Sequence, residues 1–156
     1  MSPSASESAS ISPSASASPG PGFVVFSKGY YASLPVDDTD LTNIYTEQQI
    51  IDVSTEDDIY VCQEATNKYD IHQFKNWNDS EINCKLKSRL ACSLAPSIST
   101  VYLQIYNRNS TLWETVDSNN TAAANTKFTL TAIISDLTNY KDINNVTACR
   151  IYQLIV

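Results

Sequence analysis

Apolar residues recur at every second position in several separate runs of this chain, and that spacing is the strongest constraint on its fold. In the run 82–92, Ile82, Cys84, Leu86, Leu90 and Cys92 fall on one side. Asn83, Lys85, Lys87 and Arg89 fall on the other, and Ser88 is the single interruption of the apolar side. Val101, Leu103 and Ile105 oppose Tyr102, Gln104 and Tyr106, while Phe128, Leu130, Ala132 and Ile134 oppose Lys127, Thr129 and Thr131. Successive side chains of a strand point to opposite faces, so such stripes are buried together only if the chain is extended. The run 146–156 is apolar on both faces around Arg150 and Gln153, the pattern of a central strand or one at a sheet junction.

Weaker runs at 23–26, 59–63, 69–74 and 113–116 bring the expected strands to about eight. That number in about 134 residues predicts an all-β fold, an antiparallel two-sheet β-sandwich of jelly-roll type, with an immunoglobulin-like sandwich as the alternative. Leu41, Ile44, Tyr45 and Gln48 lie at helical spacing behind Asp38 and Asp40, which predicts one short helix before a strand at 50–53. Pro35 and Pro96 stand outside the alternating runs, where strand geometry tolerates them. Beyond residue 22 the only glycine is Gly29, so turns must draw on Asn, Asp, Ser and Thr.

Residues 1–22 have a different character. Serine fills every even position from Ser2 to Ser18, with Pro3, Pro13, Pro19 and Pro21 and with Gly20 and Gly22 at the end. Such small polar residues bury too little apolar area to offset the entropy lost on folding, which predicts a disordered, flexible linker at 1–22 ahead of a β-sandwich domain at 23–156. In polyproline form the linker would reach about 70 Å. A start inside a repeat, with Met1 in front, reads as an interior point of a larger parent polypeptide joined through this linker, and the sandwich as its displayed terminal unit.

The formal net charge of -7, with lysines and arginines scattered, argues against a nucleic-acid partner. No run of eighteen apolar residues and no basic-then-apolar leader is present, so neither membrane insertion nor an export signal is read from the sequence.

Few residues suggest chemistry. Cys62, Cys84, Cys92 and Cys149 match no zinc or redox spacing, and as small apolar residues on strand-like runs they suit burial. Cys84 and Cys92 share a face of one strand, too far apart to bond to each other, and pairing through Cys62 or Cys149 stays open. Asp37, Asp38 and Asp40, and then Asp57 and Asp58 beside Asp52 and Glu56, are oxygen donors of the sort calcium takes, although the spacing and glycine of an EF-hand loop are missing. A structural calcium is the one cofactor considered; no other is expected. His72 is the only histidine and has no positioned nucleophile, so no catalytic residue and no enzyme is expected. Asn78, Asn109, Asn119 and Asn145 head N-x-S/T triplets, a weak sign of surface loops in a secreted protein.

The aromatic content offers more, with nine tyrosines and two tryptophans against four phenylalanines. Tyr102, Gln104 and Tyr106 share the side of their strand away from the core, followed by Asn107, with Trp113 across a hairpin. Rings that stack on the C–H faces of sugars, with amides for the hydroxyls, make these five the expected glycan-binding residues. Ordinary cross-strand packing of tyrosines is the competing explanation.

The serine-alanine-proline repeat at 2–22, together with VYLQIYN at 101–107, WETVD at 113–117, the loop 119–125 and CRIYQ at 149–153, resembles linker-appended β-sandwich modules of large surface or virion-associated proteins from uncultivated bacteria and their phages. The resemblance implies a sandwich carried on a larger polypeptide and brings no catalytic residues with it. It places the chain outside the cell, on a cell surface or on a virion. The expected function is a non-catalytic structural or adhesive module that binds glycans or a cell surface. The alternatives are a self-assembly module using an edge strand and an accessory domain of a modular hydrolase.

Overall fold

A computed structural model describes residues 24–156, so the expected linker at 1–22 lies outside the described residues. Eight strands and one helix follow in order: β1 (Val24–Tyr31), β2 (Asn43–Ile44), α1 (Glu47–Ser54), β3 (Lys68–Trp77), β4 (Cys84–Leu90), β5 (Val101–Asn107), β6 (Leu112–Asn119), β7 (Phe128–Ile134) and β8 (Val146–Ile155). They form two antiparallel sheets, one of six strands in the order β2-β1-β3-β8-β5-β6 and one of two, β4-β7. The fold is an all-β sandwich.

Its topology is of the jelly-roll type. From β3 onward the strands pair first with last, β3 with β8, then β4 with β7, then β5 with β6, as in a long hairpin rolled into two layers. An immunoglobulin sandwich would keep its last two strands side by side in one sheet, whereas β7 and β8 lie in different sheets here. β8 hydrogen-bonds to both β3 and β5, which is why its sequence is apolar on both faces.

The alternating runs supply the core between the layers. Val101, Leu103 and Ile151 from the large sheet meet Leu130 of β7, with Leu86, Leu90 and Phe128 packed around them. A second cluster joins Ile105, Ile134 and Leu137, with Cys84, Val116 and Ala132 at its edge. Register slips between Leu103 and Gln104, where their partners on β6 are Asp117 and Thr115. The extra residue, Val116, packs into both clusters, and the bend brings the Asp117 carboxylate to the free edge of β7, where Thr131 N–H donates to it at 2.7 Å.

Three local expectations are overturned. The helix is at Glu47–Ser54, where a strand was expected, and the expected helical stretch holds β2 instead. Thr46 and Gln49 form a reciprocal capping box, a T-x-x-Q signature that starts the helix after Tyr45. Upstream, Ile44 pairs with Ser27 and Tyr45 N–H donates to the Phe26 carbonyl, an extended course that leaves Leu41 and Tyr45 buried. The run 59–63 is not a strand either. Asp58 has φ 66°, which breaks the extended path, and the segment is fixed by side chains: Lys28 Nζ donates to the Cys62 carbonyl and Gln63 Nε2 to the Gly29 carbonyl. Turns do rely on Asn and Asp, since Asn67, Asn125 and Asn145 take left-handed φ in place of glycine. Ile82, expected on the inner face, is exposed outside β4.

Candidate functional site

The face of the large sheet that points away from β4 and β7 carries Tyr102, Gln104 and Tyr106 on β5, Trp113 on β6, and Arg150 and Tyr152 on β8. It is not open along its length. Residues 32–42, between β1 and β2, cross it as a strap held by polar side chains. Arg150 Nη1 donates to the Pro35 carbonyl at 2.7 Å, Trp113 Nε1 to the Asp37 carbonyl at 3.2 Å, and Gln73 Nε2 to the carbonyls of Asp38 and Thr39 at 3.0 Å. Asp38 takes both Arg108 nitrogens, at 3.0 and 2.7 Å, and Lys75 reaches Asp40 at 2.7 Å. The strap's own turn is an Asx motif in which Thr39 N–H donates to the Asp37 carboxylate, holding that carboxyl below its usual range.

This covering corrects the expected glycan face. Gln104, Tyr106 and Asn107 are only 8%, 7% and 9% exposed. Gln104 is consumed on both ends, accepting from Arg150 Nε at 2.9 Å and donating to the Thr115 hydroxyl at 3.0 Å. The Asn107 amide donates to Glu114 and its oxygen accepts from the backbone of Asn109 and Ser110, a hairpin turn and not a ligand contact. Tyr106 lies against Trp113 across the hairpin, ring centroids 5.1 Å apart, with Arg108 over its face. Trp113, half-buried, carries the Arg150 guanidinium 4.2 Å above its ring. Alternation told which way these side chains point, and the strap decided that they are covered.

Of the five, Tyr102 alone opens into a cleft. Beside the start of the strap, Tyr102, Tyr152 and Tyr69 converge with Leu34, Ser99, Thr100 and Leu154 around a hollow of about 300 Å³. Tyr102 and Tyr152 are register partners on β5 and β8, and their rings stack with centroids 5.1 Å apart and planes 23° from parallel. Tyr69 on β3 meets Tyr152 edge-on, at 5.9 Å and 73°. Burial, with Tyr102 and Tyr69 beside it, raises the Tyr152 phenol above its usual pKa, against the pull of Arg150, so it stays neutral near pH 7. Tyr69 and Tyr152 were missed by the sequence reading. The available signal was parity: Tyr152 stands two residues from Arg150, on the same side of β8.

The inner face of β1 and β3 lies beyond the reach of the small sheet and holds a second polar group. His72 Nδ1 is hydrogen-bonded to the Tyr45 hydroxyl, its Nε2 lies 3.8 Å from Asp70, and Gln63 donates to Asp70. Burial dominates both titrations, pushing Asp70 up to about 6 and His72 down to about 4. His72 is thus a satisfied interior histidine.

The carboxylates considered for calcium do not fit it. Asp38 and Asp40 are paired with Arg108 and Lys75, Asp58 with Arg89 and Lys127, and Asp57 accepts from Thr55 and the Ile59 backbone. Calcium needs six to eight oxygens on one ion, and among the described residues no three His, Cys, Asp or Glu side chains converge. All four thiols are free, with Cys62 exposed. Burial raises the Cys84 thiol and pushes Cys92 and Cys149 up to about 11 and about 12. Comparisons with protein-family models, with curated proteins and with solved structures find no match.

Proposed function

We propose that this sandwich is a non-catalytic adhesive module, borne by a larger surface or virion protein, that holds a glycan in the cleft of Tyr69, Tyr102 and Tyr152. One observation carries the reading: three half-buried tyrosines from three neighbouring strands meet at an open cleft, while Tyr106 and Trp113 are held against the strap. Rings already stacked against one another lose little freedom on binding, and amphipathic rings suit a ligand with both apolar and hydroxyl surface. The non-catalytic part rests on the state of the nucleophile candidates. Three of the four thiols are held protonated by burial, and the sole imidazole is engaged by Tyr45. A glycan array probed with the protein and with Tyr102→Ala tests the reading: signals that vanish in the variant support it, and an array silent for both rejects it.

A self-assembly role has one observation of its own. Among the described residues β4 pairs only with β7, so its other edge offers free backbone groups to a further strand. Concentration-dependent association in sedimentation, abolished by Lys87→Pro, would favour it.

A further inference from the structure

Resting on the glycan reading of the tyrosine cleft, we infer that its ligand is a neutral hexose ring, excluding sialic acids, uronic acids and sulfated sugars. The lining is Leu34, Leu154, Tyr69, Tyr102, Tyr152, Ser99 and Thr100, which brings five hydroxyls and no charged side chain. A hydroxyl both donates and accepts, so this set matches sugar hydroxyls and offers an anion no fixed charge. The nearest cation is Arg150. It is 3% exposed, its guanidinium lies over Trp113 and near Tyr152, and its Nε and Nη1 donate to Gln104 and the Pro35 carbonyl. With those two nitrogens engaged, it is not set for the bidentate contact by which arginine selects carboxylates and sulfates. The net charge of -7 adds long-range repulsion of anionic chains.

Size narrows the ligand further. About 300 Å³ is the lower bound of small-ligand pockets, room for one sugar ring within the cleft. Leu34 and Leu154 line the cleft with the tyrosines, supplying the apolar contact that the C–H face of a pyranose wants.

The test is titration of the whole protein, by saturation-transfer NMR and calorimetry, with cellobiose, maltose and lactose, with sialyllactose, and with a polyproline peptide. Each is measured at about 50 and about 500 mM salt. The inference expects a neutral disaccharide to bind, with less than about a two-fold change across that salt range, since no ion pair is screened. Tyr102→Ala should weaken it about ten-fold or more, the loss of one stacking ring. Ile133→Thr, on the solvent side of β7 in the other sheet, is the control and should leave the binding unchanged. Preference for sialyllactose, or affinity that falls steeply with salt, overturns the neutral-ring inference and leaves the glycan reading standing. No binding by any carbohydrate here or on the array overturns both, and so does binding of the polyproline peptide in their place.

Discussion

Replacing Asp70 by asparagine should stabilise this protein at neutral pH, because the buried carboxylate is charged there at a cost. Asp70 titrates near 6 in the folded chain against an ordinary 3.8, with burial as the main cause. A carboxyl raised in this way favours the fold most below 3.8, and that advantage is lost as pH rises through about 6. Two units correspond to about 3 kcal/mol. His72 runs the other way, since its folded value of about 4 lies below the ordinary 6.5. Its contribution is present above 6.5 and is lost as pH falls through about 4, again about 3 kcal/mol. Between pH 6 and 4 the two nearly cancel, and the pair adds little pH dependence to the parent protein. The asparagine side chain keeps an oxygen for Gln63 but removes the charge, so Asp70→Asn should gain about 1–3 kcal/mol at pH 8 and nothing at pH 4. Urea midpoints from pH 4 to 8, followed by tryptophan fluorescence, give the difference curve, in which the other carboxylates cancel. His72, the sole histidine, can be followed by NMR and should titrate near 4. A variant less stable than the parent at pH 8, or a difference that does not change with pH, would refute the argument. Either result would mean that the Gln63 hydrogen bond and Lys28 favour the carboxylate at least as much as burial penalises it.

Leu103→Ala, at the centre of the larger core cluster, should cost about 2–5 kcal/mol in chemical denaturation. Asp38→Ala strands Arg108 and loosens the strap, and should cost about 1–3 kcal/mol while raising hydrogen exchange across residues 32–42. Thr111, a β-branched residue at φ 56° in the β5–β6 hairpin, is strained, so Thr111→Gly should stabilise by about 1 kcal/mol in the same denaturation measurement. Native alkylation followed by mass spectrometry should mark Cys62 first, with Cys84, Cys92 and Cys149 reacting only in denaturant.

How much of the fold could be read from sequence depended on whether burial had a period. β5 and β7 face each other across the core from opposite sheets and β8 is central in the larger one, and their alternation, or its loss in β8, reported those positions directly. The segments that were misread are stabilised by single polar contacts. Nothing periodic distinguishes Ile50, Ile51 and Val53 on a capped helix from the same residues on a strand, since the Thr46–Gln49 box that decides it lies upstream. Residues 59–63 look like a strand because Ile59 and Val61 alternate with Tyr60 and Cys62, yet their backbone is held by Lys28 and Gln63 and joins no ladder.

The candidate site failed in part for a related reason. Period two assigns a side chain to a face and is silent on what lies over that face. Tyr102, Gln104 and Tyr106 do point away from the core between the sheets, but the outcome for each was set by residues 32–42, which have no repeat of their own and are anchored through carbonyls of Pro35, Asp37, Asp38 and Thr39. The clue lay on the opposite strands. Gln73 and Arg150 are polar residues buried on central strands, and interior polar groups must find partners. With Pro35 and three aspartates in the preceding loop, the partners were at hand in sequence. An arginine on a central strand, facing outward among aromatic residues, is therefore better taken as evidence that its face is covered. The same logic picks out Tyr102 and Tyr152, which lie one step past the Arg150–Pro35 anchor, as the outward rings left open at the cleft.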